Sequence, residues 1–258
     1  MILSNSENFT LCLKQDKSGE HYAEYDNFVL RSVFQPIFNA GKEVMGVEAL
    51  VRISDQEGET IRPDLFFHTN TFCIETRIDV EALSRAIHIL NFAQSKHRNK
   101  QLFLNALPDP EHNLFHDLSR SVLVNRLDEL KIRTRQIVIE FVELQVKDNQ
   151  MLSRVTSLLT QNGFGIAVDD YGQQASTKDR VKLINPSIVK IDKSLMNDFM
   201  GGIASPLLSA LRVATEVGAK TVIEGIESKE QFENMVSLNI DMFQGYHLAH
   251  PEPLHSIN

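Results

Sequence analysis

The chain has 258 residues, 42% of them hydrophobic, and a formal net charge of −8. That is apolar mass enough for a sizeable core, yet no run approaches the roughly 20 apolar residues that span a bilayer. The acidic balance argues against a general nucleic-acid binder, whose affinity rests on neutralising phosphates, so no DNA or RNA polymer is expected as a partner.

Residues 1–27 are polar and aperiodic, and read as an N-terminal arm or a short edge element ahead of a single domain over 28–258. Residues 1–7 have neither the basic segment nor the apolar run of a secretory signal. Cys12 and Cys73 make no disulfide framework and no metal-ligand spacing, and are expected as free thiols in the cytoplasm.

From there, short apolar runs alternate with longer amphipathic ones. The short runs occupy 33–38, 44–51, 102–104, 137–139, 166–168, 188–191, 221–223 and 242–243. Several are continuously apolar and rich in β-branched residues, as strands buried on both faces are. Between them, Leu83, Ile87, Leu90 and Ala93 recur at helical spacing. So do Leu152, Val155 and Leu159, in a run that Asn162-Gly163 closes. Ser205-Pro206 predicts an N-cap followed by proline at the first helical position, with Gly218 stopping that helix. Ser228 and Gln231 predict a capping box. Roughly eight strands alternating with helices predict an α/β fold, a (β/α)8 TIM-like barrel. The competitor is a doubly wound open sheet. Its dinucleotide-binding form wants a glycine-rich turn after the first strand, and Asn39-Ala40-Gly41-Lys42 is no such turn.

The informative pattern is the polar residue that ends each run. Glu48 follows Val47, Asn105 follows Leu104, Glu140 follows Ile139, and Asp169-Asp170 follow Val168. Lys190 follows Val189, Glu224 follows Ile223, and Gln244 follows Phe243. Taken singly, an acid in such a place is most often a turn or cap residue. In a barrel, however, all these strand ends meet at one face. Converging carboxylates repel one another and lose hydration unless a cation sits among them. All-oxygen ligation suits Mg²⁺ or Mn²⁺ rather than zinc. Two such ions can clamp the attacking and leaving oxygens of a phosphoryl displacement.

At these residues the sequence resembles the EAL domain family, bacterial phosphodiesterases acting on cyclic di-GMP. The motifs stand in family order: Phe34-Gln35-Pro36-Ile37, Glu48-Ala49-Leu50-Val51-Arg52, Asn105, Glu140-Phe141-Val142-Glu143, Asp169-Asp170-Tyr171-Gly172, Val189-Lys190-Ile191-Asp192, Glu224-Gly225-Ile226-Glu227 and Gln244-Gly245-Tyr246. The resemblance covers residues 28 to 256 and implies a barrel with one antiparallel strand. It implies that Glu48, Asn105, Glu140 and Asp169 bind one metal, and that Asp169 bridges to a second held by Asp170 and Glu224. Lys190 would contact the nucleophilic water, Gln244 would support the site, and Glu143 would anchor the loop after Asp170. Gln35, Arg52 and Asp79 would touch the substrate, Arg52 through a phosphate and Asp79 through guanine. The implied product is linear pGpG and the implied assembly a homodimer.

The chain departs from the family pattern in the loop after Asp170, where Gln174 replaces a glycine and Lys178 an apolar residue. Ile53 stands where tryptophan is common, and Asn105 continues as Ala106-Leu107-Pro108. Two functional expectations follow: an active metal-dependent hydrolase, or an EAL-like module that binds cyclic di-GMP or a protein partner with little turnover. Hydrolysis of another phosphodiester is a third.

Overall fold

A computed structural model describes residues 6–69, 71–106, 122–142, 149–172 and 178–254. A short helix α1 (Ser6–Cys12) leads into strands β1 (Leu13–Gln15) and β2 (His21–Tyr25). Next come β3 (Phe28–Phe38), β4 (Val44–Asp55), β5 (Thr60–Ile61), α2 (Pro63–His68), α3 (Ile74–Gln94) and β6 (Gln101–Ala106). The chain continues with α4 (Val122–Glu129), β7 (Ile137–Val142), α5 (Asn149–Gln161), β8 (Gly165–Tyr171), α6 (Lys178–Ile184) and β9 (Ile188–Ile191). It ends with α7 (Lys193–Met200), α8 (Ser205–Val217), β10 (Lys220–Ile223), α9 (Lys229–Ser237) and β11 (Met242–Phe243).

Eight of these strands close a barrel. β4, β6, β7, β8, β9, β10 and β11 run parallel in that order, and β3 joins β11 to β4, antiparallel to both. All eight apolar runs lie in these strands. The antiparallel strand has a local cause: β3 and β4 are joined by a tight turn, and a hairpin must reverse direction where parallel neighbours need a crossover. In that turn Lys42 takes a left-handed conformation, and its N–H donates to the Asn39 carbonyl at 2.9 Å. Pro36 interrupts β3 without breaking the pairing. Its missing N–H falls on the edge away from β4, between the bridges Phe34–Glu252 and Phe38–Phe243.

The β3–β4 hairpin is longer than the barrel needs. Its far end carries β2 and β5, so residues 13–15 and 21–25 form paired strands. α3 covers this extension in a core of its own built on Tyr25, Phe28, Leu30, Ile53, Phe66, Leu83 and Ile87. Around the barrel, outward residues such as Leu102, Ile139, Ile166 and Val189 pack against Leu152, Val155, Leu207 and Val213 of the helices. Inside, one apolar side chain from each of β3, β6, β7, β8, β9, β10 and β11 forms a sealed layer: Ile37, Phe103, Val138, Ala167, Ile188, Val222 and Met242. Gly46 takes the place in β4, where an added Cβ would lie 2.7 Å from the Phe103 ring.

Helix ends follow the sequence closely. Gly163 and Gly218 take φ values of 82° and 71° after α5 and α8, and Ser228 with Gln231 forms the capping box of α9. One end is shifted: α8 has Ala204 at its N-cap, with no side-chain cap, and Ser205 and Pro206 are its first two residues. No helix among the described residues is long and apolar enough to cross a membrane.

Beyond β11 the backbone at Gly245 lies flush against Ile226, whose N–H donates to the Gln244 carbonyl at 3.0 Å. An added Cβ would collide with the backbone nitrogen and oxygen of Ile226. Gly245→Ala is therefore expected to cost about 3 kcal/mol, lowering Tm by about 6–12 °C in calorimetry for a chain of this size.

Candidate functional site

Strand side chains alternate with a period of two. Two residues further toward the mouth from each member of the apolar layer, the same inward positions are Glu48, Asn105, Glu140, Asp169, Lys190, Glu224 and Gln244. β3 runs the other way, so its member is reached by counting back from Ile37 to Gln35. Every barrel strand thus contributes one polar residue to a single ring directly above an apolar floor.

Lys190 occupies the centre and is 1% exposed. Its Nζ lies 2.9 Å from Glu140 Oε1, 2.9 Å from Asp169 Oδ1, 2.9 Å from Glu224 Oε1 and 3.4 Å from Glu48 Oε2. Burial alone would lower the pKa of this amine. Asp169, Glu140, Glu224 and Glu48 outweigh it and hold the ammonium well above its ordinary value. Amides fix Glu48: Gln244 Nε2 donates to its Oε2 at 2.7 Å and Asn105 Nδ2 to its Oε1 at 3.2 Å. Gln244 Nε2 also reaches Gln35 Oε1 at 3.3 Å, and Gln35 Nε2 donates to the Ala249 carbonyl at 3.2 Å.

Asp169 and Asp170 are consecutive, and a regular strand would turn one of them away. A bulge prevents this. Val168 pairs with Val189 and Tyr171 with Ile191, so β8 carries one extra residue here, and Asp170 takes a φ of 54°. Aspartate tolerates that left-handed conformation better than most residues. As a result, one carboxylate oxygen each from Asp169, Asp170 and Glu224 lies within 4.8 Å of the others. Asp192, which caps α7 by accepting from the Ser194 N–H at 2.9 Å, adds a further negative charge near Asp170.

Lys190 does not neutralise this ring. Glu48, Glu140, Asp169, Asp170 and Glu224 bring five carboxylates against its one charge. Both Glu140 oxygens, Asp169 Oδ1 and Gln244 Oε1 are buried without a hydrogen-bond partner. The Lys190 approaches to Glu140 and Asp169 are ion-pair contacts that lack hydrogen-bond alignment. Burial, the Asp169 charge and the Asp192 charge push Asp170 up to about 6. Burial, opposed by Lys190 and reinforced by Asp169 and Glu48, pushes Glu224 up to about 8. Glu140 is raised by burial and by Glu48 and Asp169, in spite of Lys190. Buried acceptor-only oxygens with raised pKa values are what an oxygen-ligated divalent cation would relieve. The donor set fits one or more such ions.

The remaining predicted residues divide. Arg52 is exposed and lies on the same face of β4 as Glu48, four residues toward the mouth. Asp79 has a different place. It is 3% exposed in α3 and accepts from the Tyr25 hydroxyl at 2.8 Å, tying the helix to β2. Glu143 and Gln174 lie outside the described residues. Two departures find partners: Lys178 pairs with Glu216 at 2.8 Å, and Ile53 is buried under α3. Sequence reading missed the bulge and Asp192. The doubled acid of 169–170 signals the first, and an aspartate one residue ahead of a helix the second.

The raised Asp170 pKa makes stability depend on pH. Its folded value, about 6, exceeds the unfolded 3.8, so its contribution is fully present below 3.8 and is lost as pH rises through 6. In metal-free protein, Tm should therefore fall more steeply between about pH 4 and 6 for the wild type than for Asp170→Asn, whose side chain keeps the left-handed turn but does not titrate. Parallel melting profiles would refute this.

The family model described as EAL domain matches residues 24–251. Among curated proteins, the chain is 26% identical over 235 residues to the cyclic di-GMP phosphodiesterase PdeF of Escherichia coli (strain K12), covering 90% of this chain and 31% of that protein. It is 27% identical over 243 residues to the oxygen sensor protein DosP of the same organism, covering 90% of this chain and 29% of that one. This chain thus spans about a third of the length of those relatives. Among solved structures, it resembles Bacillus subtilis YkuI in complex with substrate c-di-GMP and calcium, with a TM-score of 0.74 and 25% identity over 87% of this chain and 55% of that one. It also resembles a manganese and cyclic di-GMP complex of Klebsiella pneumoniae BlrP1, with a TM-score of 0.74 and 26% identity over 86% and 56% of the two chains. With the family model spanning all eight barrel strands and the ring they build, the chain belongs to the EAL domain family.

Proposed function

We propose that this chain is a metal-dependent phosphodiesterase that opens one phosphodiester bond of cyclic di-GMP to give linear pGpG. The observation that carries the reading is the surplus of buried carboxylate around Lys190, five acidic side chains against one ammonium charge. Solved relatives whose complexes hold cyclic di-GMP together with calcium or manganese support it. Glu48, Asn105, Glu140 and Asp169 would hold one ion, Asp169, Asp170 and Glu224 a second, and Mg²⁺ or Mn²⁺ suits this donor set. Bound ions of this kind polarise phosphoryl oxygens and make water a stronger acid.

The chain's own residues do the rest. Lys190 stays protonated near neutral pH, and its Nζ holds the attacking water in line with the phosphorus by donating to it. The same charge offsets negative charge gathering on the phosphoryl oxygens. The Asn105 amide nitrogen donates to Glu48, which leaves Oδ1 as its ligand atom. Gln244 clamps the other Glu48 oxygen, and Gln35 braces Gln244. Arg52, exposed above the ring, takes the non-reacting phosphate. On the family resemblance Glu143, which lies outside the described residues, would act on the loop that leaves Asp170. Asp79, buried beneath Tyr25, has no part in this reading.

The test is purified protein with cyclic di-GMP and Mg²⁺ or Mn²⁺, resolved by chromatography. Linear pGpG should accumulate, and chelation should stop it. No product with either metal while cyclic di-GMP still binds would leave the binding-module reading instead. Glu48→Ala should lower kcat by at least about 10²-fold. Its circular dichroism should match the wild type; unchanged kcat would remove Glu48 from the centre. A separate readout needs no substrate. A saturating divalent ion at about 100 times its Kd should stabilise the wild type by about 2.7 kcal/mol, and much less in Glu48→Ala.

A further inference from the structure

Positive charge is concentrated at the end of the barrel opposite the ring. Residues 95–100 lead into β6, and α4 with residues 130–136 leads into β7. Six exposed cations stand on these segments: Lys96, Lys100, Arg126, Lys131, Arg133 and Arg135. The half-buried Arg98 adds a seventh, and Asp128 and Glu129 are the only acids. In a chain of net charge −8, these two segments hold a surplus of +5 and the remainder carries −13. None of the seven pairs with a carboxylate among the described residues. Hydrogen bonds join the two segments into one platform. The amide nitrogen of buried Gln136 donates to the Arg98 carbonyl at 2.6 Å and to the Lys100 carbonyl at 3.1 Å. Arg98 Nη2 donates to the Leu130 carbonyl at 3.1 Å. Lys131 takes a left-handed turn, its N–H on the Asp128 carbonyl at 3.0 Å. Like charges gathered in this way repel one another, and an anionic partner relieves them.

We propose that this platform docks the chain on an anionic phospholipid surface, with the acidic mouth turned toward water. A negatively charged leaflet attracts clusters of about four to eight Lys and Arg side chains. A protein partner would want an apolar centre within the charged rim. Among the described residues, every large exposed hydrophobic side chain lies elsewhere. A nucleic acid would want aromatic side chains to stack on its bases, or a helix offered to a groove. Residues 95–101 and 123–136 contain no Phe, Tyr or Trp, and α4 exposes Asp128 and Glu129 in its last turn. Lipid headgroups need only charge. The fold also keeps the two signs apart. Lys100 and Arg135 each stand five residues ahead of a ring member, Asn105 and Glu140, which is about 16 Å along a strand. That exceeds the Debye length of about 8 Å at physiological ionic strength, so the ring does not cancel the attraction.

The test is co-sedimentation of the full chain with sucrose-loaded vesicles of phosphatidylcholine, alone or with about one-third phosphatidylserine. Wild type should bind the anionic vesicles at least about tenfold better than the neutral ones, and lose that preference at about 0.5 M salt. Lys100→Gln/Arg126→Gln/Lys131→Gln/Arg135→Gln removes four exposed charges from the platform and should lower binding at least about tenfold. Lys14→Gln/Lys17→Gln/Lys193→Gln/Lys229→Gln makes the same change in net charge at exposed sites elsewhere and should stay within about threefold of wild type. Arg126→Lys/Arg135→Lys should bind as wild type does, because a leaflet reads charge and not the guanidinium fork. Circular dichroism checks the fold of each variant. If the fourfold platform variant unfolds, Lys100→Gln and Arg135→Gln replace it, each lowering binding about threefold. No preference of wild type for anionic vesicles would overturn the proposal, including the case in which the platform retains a labelled oligonucleotide or polyglutamate instead. Equal losses in the two fourfold variants would overturn it as well. Turnover plays no part in this measurement, so failure here leaves the phosphodiesterase reading untouched, and the reverse holds too.

Discussion

One ammonium group, Lys190, holds the middle of this barrel together without balancing it. Four carboxylate oxygens lie between 2.9 and 3.4 Å from its Nζ. Such attractions are strong at low dielectric, but so is the cost of taking each ion out of water. With Asp170 added, the ring keeps a negative surplus that its amides can orient but not cancel. The raised pKa values of Glu140, Asp170 and Glu224 express that surplus. Stability has been given up here in favour of a place where positive charge is wanted.

The barrel explains how such a place can be built from a chain whose members are nearly 200 residues apart, as Glu48 and Gln244 are. Closure brings eight strand ends to one circle, and two-residue alternation fills that circle from inward positions only. The apolar layer beneath, from Ile37 to Met242, closes the floor and keeps the dielectric low. Two local irregularities then complete the set. The hairpin that reverses β3 brings Gln35 in from the opposite direction, and the bulge at Asp170 adds a second carboxylate where alternation allows one. Gly245 lets the chain turn tightly enough against Ile226 for Gln244 to reach Glu48.

Much of this was legible in the sequence because it depends on period and sign. The apolar runs marked all eight barrel strands, and the polar residue ending each run marked the ring. What stayed hidden depends on geometry that periodicity does not encode. Nothing in the spacing of Phe34-Gln35-Pro36 says that β3 runs backwards; the family resemblance alone implied an antiparallel strand, and its local cue, the tight turn at Asn39–Lys42, looks like any short connection. The setting of Asp79, to which the resemblance gives a guanine contact, is of the same kind: the β3–β4 extension carries β2 across the start of α3, and the Tyr25 hydroxyl donates to its carboxylate. The polar stripe of α3, Glu81, Ser84, Arg85 and His88, reads as a solvated helix face until the helix is seen packed against strands on that side.

The same surplus of charge sets an order of events on the proposed reading. A ring with more carboxylates than cations repels an anionic phosphodiester, and Arg52, one exposed guanidinium above it, offers modest compensation. Divalent ions would reverse the sign of the mouth, so cation and substrate binding must be positively coupled. By linkage each then tightens the other by the same factor. Burial of the carboxylates sharpens the coupling, since the charges they present are weakly screened. Lys190 fits this logic as a fixed charge rather than a switch. Held protonated by its four neighbours, it offsets part of the repulsion among the carboxylates, and on the proposed reading it would stay a donor toward the substrate when divalent ions are bound.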